Sequence, residues 1–142
     1  VLITVGTVNR RRIEIFKRTR QYTERDYELL RRVIGQFGPL YTVAHVMAEV
    51  SNLTDLKGIE RLRARHVLKE TIAILQEPEM PSARAAQGRL YERLGLVDAA
   101  IAAVAREHKC CVLTDDFDLY QALSREGLPV LNFAHLRERE ME

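Results

Sequence analysis

Two short apolar runs near the C-terminus constrain the fold more than any other feature. Cys110-Cys111-Val112-Leu113-Thr114 is continuously apolar up to its threonine and bounded by charges, and Leu128-Pro129-Val130-Leu131-Asn132 has the same buried character. Strands covered on both faces read as unbroken apolar runs of this kind. Between the two, Asp115 or Asp116 opens a helix to about Ser124, and Gly127 ends it. Strand, helix, strand at this spacing, with a short terminal helix from Ala134, predicts a parallel pair joined by a right-handed crossover. The expectation is a helix-rich α/β fold. Val1–Val5 is either a further strand or the start of the first helix.

Upstream, the apolar spacing is helical. Thr23-Glu24-Arg25-Asp26 opens a helix carrying Tyr27, Leu30 and Ile34 and stopping before Gly35. Val43, Val46, Met47, Val50 and Leu53 form one stripe over Thr42–Leu53. A third helix spans roughly Ile59–Leu75, after which Pro78 and Pro81 break the chain. Ser82 is placed to cap a helix running through Leu94 to the stop at Gly95, and an Ala-rich helix follows Leu96-Val97-Asp98 to Glu107.

At 142 residues, with 46% hydrophobic and 30% charged, the chain fits one globular domain over 1–142. Its longest apolar stretch without a charge, Phe37–Ala48, is broken by Gly38, Pro39, Thr42 and His45, short of the ~20 residues that span a bilayer. No basic segment followed by an apolar one opens the chain, and Cys110 and Cys111 are neighbours rather than a disulfide framework. A reducing cytoplasm and no membrane are therefore expected. The formal charge of +2 hides an asymmetry: residues 1–71 carry 14 Lys+Arg against 8 Asp+Glu, and residues 72–142 carry 8 against 12. Arg10, Arg11, Arg12, Lys17, Arg18 and Arg20 crowd the first twenty positions, either as an attractor for phosphate backbone or as a solvated helix face.

There is no Gly-rich phosphate loop, nucleophile elbow, His-Glu-x-x-His or spaced cysteine pair. His45 and Glu49 share a helix face, a spacing open to a metal but equally to an exposed hydrogen bond. The carboxylates near apolar segments are more informative. Glu49 edges its stripe, Asp98 precedes the Ala-rich helix, and Asp115 and Asp116 follow an apolar strand at its carboxyl end, where open α/β sheets bind ligands. Each has a local alternative: Glu49 as a boundary residue facing water, Asp98 and one of Asp115/Asp116 as helix caps. Asp118 is expected at the surface. Carboxylates converging in one cleft would raise one another's pKa unless a cation neutralised them, and oxygen ligands suit Mg²⁺ or Mn²⁺.

The order of these pieces resembles the PIN-domain family of metal-dependent ribonucleases. The match is carried by Ala48-Glu49-Val50-Ser51-Asn52-Leu53, by Leu96-Val97-Asp98 with the Ala-rich helix to Ala105, by Val112-Leu113-Thr114-Asp115-Asp116-Phe117, and by Val130-Leu131-Asn132-Phe133. The resemblance implies a three-layer α/β/α sandwich with a central parallel sheet. It also implies metal ligation by Glu49, Asp98 and Asp116, with Asp115 as an alternative or supporting ligand and the Thr114 hydroxyl orienting the cluster. The family opens with a strand ending in Asp-x-Asn just before an apolar segment like Val1-Leu2-Ile3. That strand and its first acid are therefore expected upstream of Val1.

The function expected from the resemblance is a Mg²⁺- or Mn²⁺-dependent endoribonuclease acting on single-stranded RNA. Arg10, Arg11, Arg12, Lys17 and Arg18 would guide the RNA. Family members often dimerise, so a homodimer is expected, and members of a toxin subgroup pair with an antitoxin protein. A catalytically inactive RNA-binding or interaction module on the same fold is the alternative. A response-regulator-like domain fits less well, because Leu128–Phe133 lacks the lysine such a domain wants.

Overall fold

The computed structural model describes all residues, Val1–Glu142. Nine helices and two strands follow one another: α1 (Leu2–Val8), α2 (Glu24–Gly35), α3 (Ala44–Leu53), α4 (Gly58–Ile74), α5 (Ser82–Ala85), α6 (Tyr91–Leu94), α7 (Leu96–His108), β1 (Val112–Thr114), α8 (Phe117–Arg125), β2 (Val130–Asn132) and α9 (Phe133–Met141). Arg10–Arg12 form a single 3₁₀ turn after α1. The chain divides into two compact units, Val1–Leu40 with Met47–Gln76, and Tyr41–Val46 with Glu77–Glu142.

The first unit is helical. Its N-terminal apolar segment is α1 rather than a strand, and Val5, Leu56 and Ala64 form a buried cluster with Val1, Val8 and Phe16 against it. The start of α2 falls where Thr-Glu-Arg-Asp predicts it. Thr23 Oγ1 accepts from the Asp26 N–H (3.2 Å), and Asp26 Oδ2 accepts from the Thr23 N–H (2.8 Å). This reciprocal capping satisfies two donors that a helix start leaves without partners.

The second unit holds the α/β part. β1 and β2 pair in parallel, Val112 opposite Val130, Leu113 opposite Leu131 and Thr114 opposite Asn132. The strand–helix–strand reading from the two apolar runs is borne out as a two-stranded parallel sheet. Each strand is shorter than its apolar run, with Cys110, Cys111, Leu128 and Pro129 leading in. α7 is the core helix. Ala100 and Ala102 are wholly buried, so their small side chains let neighbours approach on two sides. On one side lie Leu90, Val112, Leu119, Ala122 and Leu123, on the other Val43, Met80 and Ala85.

Two local expectations give way. Ser82–Leu94 is not one helix but α5 and α6, with turns between them around Gly88. A glycine inside a helix costs roughly 1 kcal/mol relative to alanine, and a short segment without a long apolar stripe does not recover it. Ser82 does not cap α5, since its hydroxyl instead meets His45 Nε2 at 2.8 Å. No helix is long and apolar enough to cross a membrane.

Candidate functional site at the strand ends

The carboxyl ends of β1 and β2 lie side by side through the Thr114–Asn132 pairing, and each strand turns directly into a helix. At the first, Thr114 Oγ1 accepts from the Asp116 N–H (3.0 Å), and Asp116 Oδ1 accepts from the Leu119 N–H (3.0 Å), capping α8. At the second, buried Asn132 caps α9, its Oδ1 accepting from the N–H groups of Ala134 (2.8 Å) and His135 (3.4 Å). Thr114 is half-buried, whereas Asp115, Asp116 and Asp118 are exposed.

Asp98 also belongs to this unit. Gly95, with φ 89, is the residue before α7, a backbone conformation that suits glycine. Asp98 therefore sits in the first turn of the helix rather than at its cap. A half-buried carboxylate there is favoured by the positive end of the helix dipole.

Glu49 lies on the part of α3 that belongs to the first unit, and its side chain is exposed. His45, four residues earlier, is hydrogen-bonded through Nε2 to the Ser82 hydroxyl.

Within neither unit do three His, Cys, Asp or Glu side chains gather into a group able to hold a metal ion. The donor chemistry at the strand ends, carboxylate and hydroxyl oxygen, suits a hard cation. Asp116 Oδ1 and the Thr114 hydroxyl each accept a backbone N–H bond, so the second carboxylate oxygen, Oδ2, is the donor that Asp116 would offer such an ion. Asp115 and Asp116 are the strand-end carboxylates that would hold one, and the ion would supply charge neutralisation for them.

The basic segment is partly consumed by structure. Arg10 pairs with Glu28 and lies 5.3 Å from the centre of the Tyr27 ring. Arg12 pairs with Glu60 at 2.6 Å, and Lys17 with Asp55 at 2.9 Å. The hydrogen bond from Lys17 holds the Asp55 carboxyl below its usual range. Arg11 and Arg18 are exposed, and the charge of Arg18 adds to that of Lys17 in lowering the Asp55 carboxyl. α4 adds what the N-terminal cluster loses: Arg61, Arg65 and Lys69 are exposed at steps of four residues, one stripe of the helix.

Cys110 and Cys111 are free thiols. Burial pushes both up from their ordinary values, Cys111 further through its neighbour, so they stay protonated and poorly nucleophilic at neutral pH.

Compared with known proteins, residues 13–123 match the family model described as PIN domain, most of the chain and parts of both units. The chain belongs to the PIN-domain family. PIN domains are generally nucleases, hence hydrolases, and generally use divalent metal ions. No curated protein and no solved structure matches this PIN domain. Its site has features that sequence reading missed. Asn132 carries a recoverable signal, an Asx residue between an apolar run and a helix. The ring contact between Tyr120 and His135 (5.3 Å) carries none, since the two lie on different helices.

Proposed function

We propose that this PIN domain is an endoribonuclease that hydrolyses phosphodiester bonds of single-stranded RNA, with Asp98, Asp115 and Asp116 as its acidic centre. Thr114 orients that centre. The observation that carries the reading is the strand-end position of Thr114, Asp115 and Asp116 inside the family-matched region, where α/β sheets bind their ligands. Mg²⁺ or Mn²⁺ is the ion proposed to be required. RNA backbone is met by exposed cations, Arg11 and Arg18 with Arg61, Arg65 and Lys69.

The test is cleavage of a labelled single-stranded RNA, with and without Mn²⁺, by protein expressed from its complete reading frame. Metal-dependent cutting that Asp98→Asn abolishes, with stability equal or higher in the metal-free variant, is the expected result. Retained cutting, or clear destabilisation of the metal-free protein, returns Asp98 to a helix-dipole role. One observation favours a second reading, a non-catalytic RNA-binding module: Asp116 and Thr114 are committed to backbone N–H groups. That reading expects RNA affinity that needs no Mn²⁺ and is unchanged in Glu49→Gln.

A further inference from the structure

Phe117 is out of place for an apolar side chain. It is 55% exposed, while Leu119 and Leu123 of the same helix are 1% and 0% exposed. At about 100° per residue, Phe117 stands roughly 200° round α8 from Leu119, so the helix cannot bury both on one face. Its ring instead lies 6.4 Å from that of Tyr120, with planes 33° apart, and Tyr120 meets His135 of α9 edge-on at 5.3 Å. Phe117 and His135 each sit three residues beyond the paired strand ends Thr114 and Asn132. Two strands, two helices and one register thus bring three rings together next to Asp115 and Asp116.

The surroundings narrow what such a row can bind. The caps at Asp116 and Asn132 already take up N–H groups at the starts of α8 and α9, so a phosphate finds few donors there. The second unit carries 8 Lys+Arg against 12 Asp+Glu, so it offers little Coulombic attraction to an anion. What remains is a flat, exposed π-face, and every nucleobase has one to set against it.

We propose that Phe117, backed by Tyr120 and His135, is a stacking platform for a nucleobase of a single-stranded nucleic acid. The base held there keeps its nucleotide beside the strand-end carboxylates. The proposal rests on the nuclease reading for the choice of ligand, but its test is binding rather than cleavage. Phe117 is a positioning residue: it takes no part in bond breaking.

The experiment measures fluorescence anisotropy of labelled oligoadenylate RNA, the matching DNA and an abasic ribose-phosphate oligomer on the full protein, with a chelator present to prevent cutting. Phe117→Ala is expected to weaken oligoadenylate binding by about tenfold or more, a typical loss for one stacked base. Phe117→Trp is expected to restore it, and binding of the abasic oligomer to stay unchanged. Phe117→Leu keeps apolar bulk without an aromatic face. It should behave as Phe117→Ala, which separates stacking from folding. Dependence on Phe117 for either RNA or DNA supports the platform, and dependence for RNA alone shows that the ribose is read as well. Unchanged affinity of Phe117→Ala for both polymers, or an equal loss for the abasic oligomer, overturns it. Phe117-dependent binding by a protein that never cuts RNA overturns the nuclease and leaves the platform. Metal-dependent cutting with Phe117-independent binding does the reverse.

Discussion

Tyr27 is held in the first unit by polar and cationic partners as well as by packing. Its ring is 3% exposed, its hydroxyl meets Thr7 Oγ1 at 3.0 Å, and the guanidinium groups of Arg10 and Arg31 lie 5.3 and 5.7 Å from the ring centre. The ring can sit there only because residue 6 has no side chain. A Cβ on Gly6 would overlap Cδ2 of the Tyr27 ring. Gly6→Ala is therefore expected to destabilise the protein by ~1–3 kcal/mol, as overpacking of a filled core does, measured by urea denaturation. No loss would mean that the ring moves aside freely. The same ring gives Arg10 a structural partner that the sequence does not show. A cation over a buried ring and paired with Glu28 is held by the fold, whatever it adds to RNA binding.

At the scale of elements, the helix that follows β1 puts two roles on one carboxylate. As the cap of α8, Asp116 can be replaced by asparagine at little cost, because both side chains accept from the same N–H, whereas alanine loses ~1 kcal/mol. As part of an acidic centre it cannot be replaced by asparagine without loss of the charge. Asp116→Asn is thus expected to keep the melting temperature and lose RNA cleavage, and Asp116→Ala to lose both. If Asp116→Asn cuts RNA normally, the carboxylate is a cap and nothing more. The same local logic made α2, α8 and β1 readable from the chain, since capping residues and apolar periods act within a few positions. It failed for Ser82–Leu94, where Ser82 and Gly95 mark only the two ends and the stretch between them breaks into α5 and α6.

For the whole molecule, charge follows the two compact units. The first holds 14 Lys+Arg against 8 Asp+Glu and the second 8 against 12. Arg61, Arg65 and Lys69 have only apolar, small or basic residues three and four positions away on α4, so no acid on their own helix offsets them. Replacing all three by glutamine is expected to weaken RNA binding and to flatten its dependence on salt. Each lost phosphate contact lowers the slope by about 0.7. The same replacement at Arg10 and Arg12, which already hold Glu28 and Glu60, is expected to change the slope less. An unaltered slope in the α4 variant makes that stripe a solvated face.

The sequence by itself determined the parallel strand pair, the helix between its strands and the family, because unbroken apolar runs and an Ala-rich helix leave few other ways to bury a core. It also marked Asp98, Thr114, Asp115 and Asp116, which keep their places near helix starts and strand ends. Only the tertiary structure decided which cations pair with acids, that Asp98 lies inside the first turn of α7, and that Asp116 and Thr114 are tied to backbone N–H groups. It alone brought His135 of α9 against Tyr120 of α8. Partners so far apart in sequence leave no periodicity, since a contact between two helices depends on how they pack rather than on how their residues are spaced.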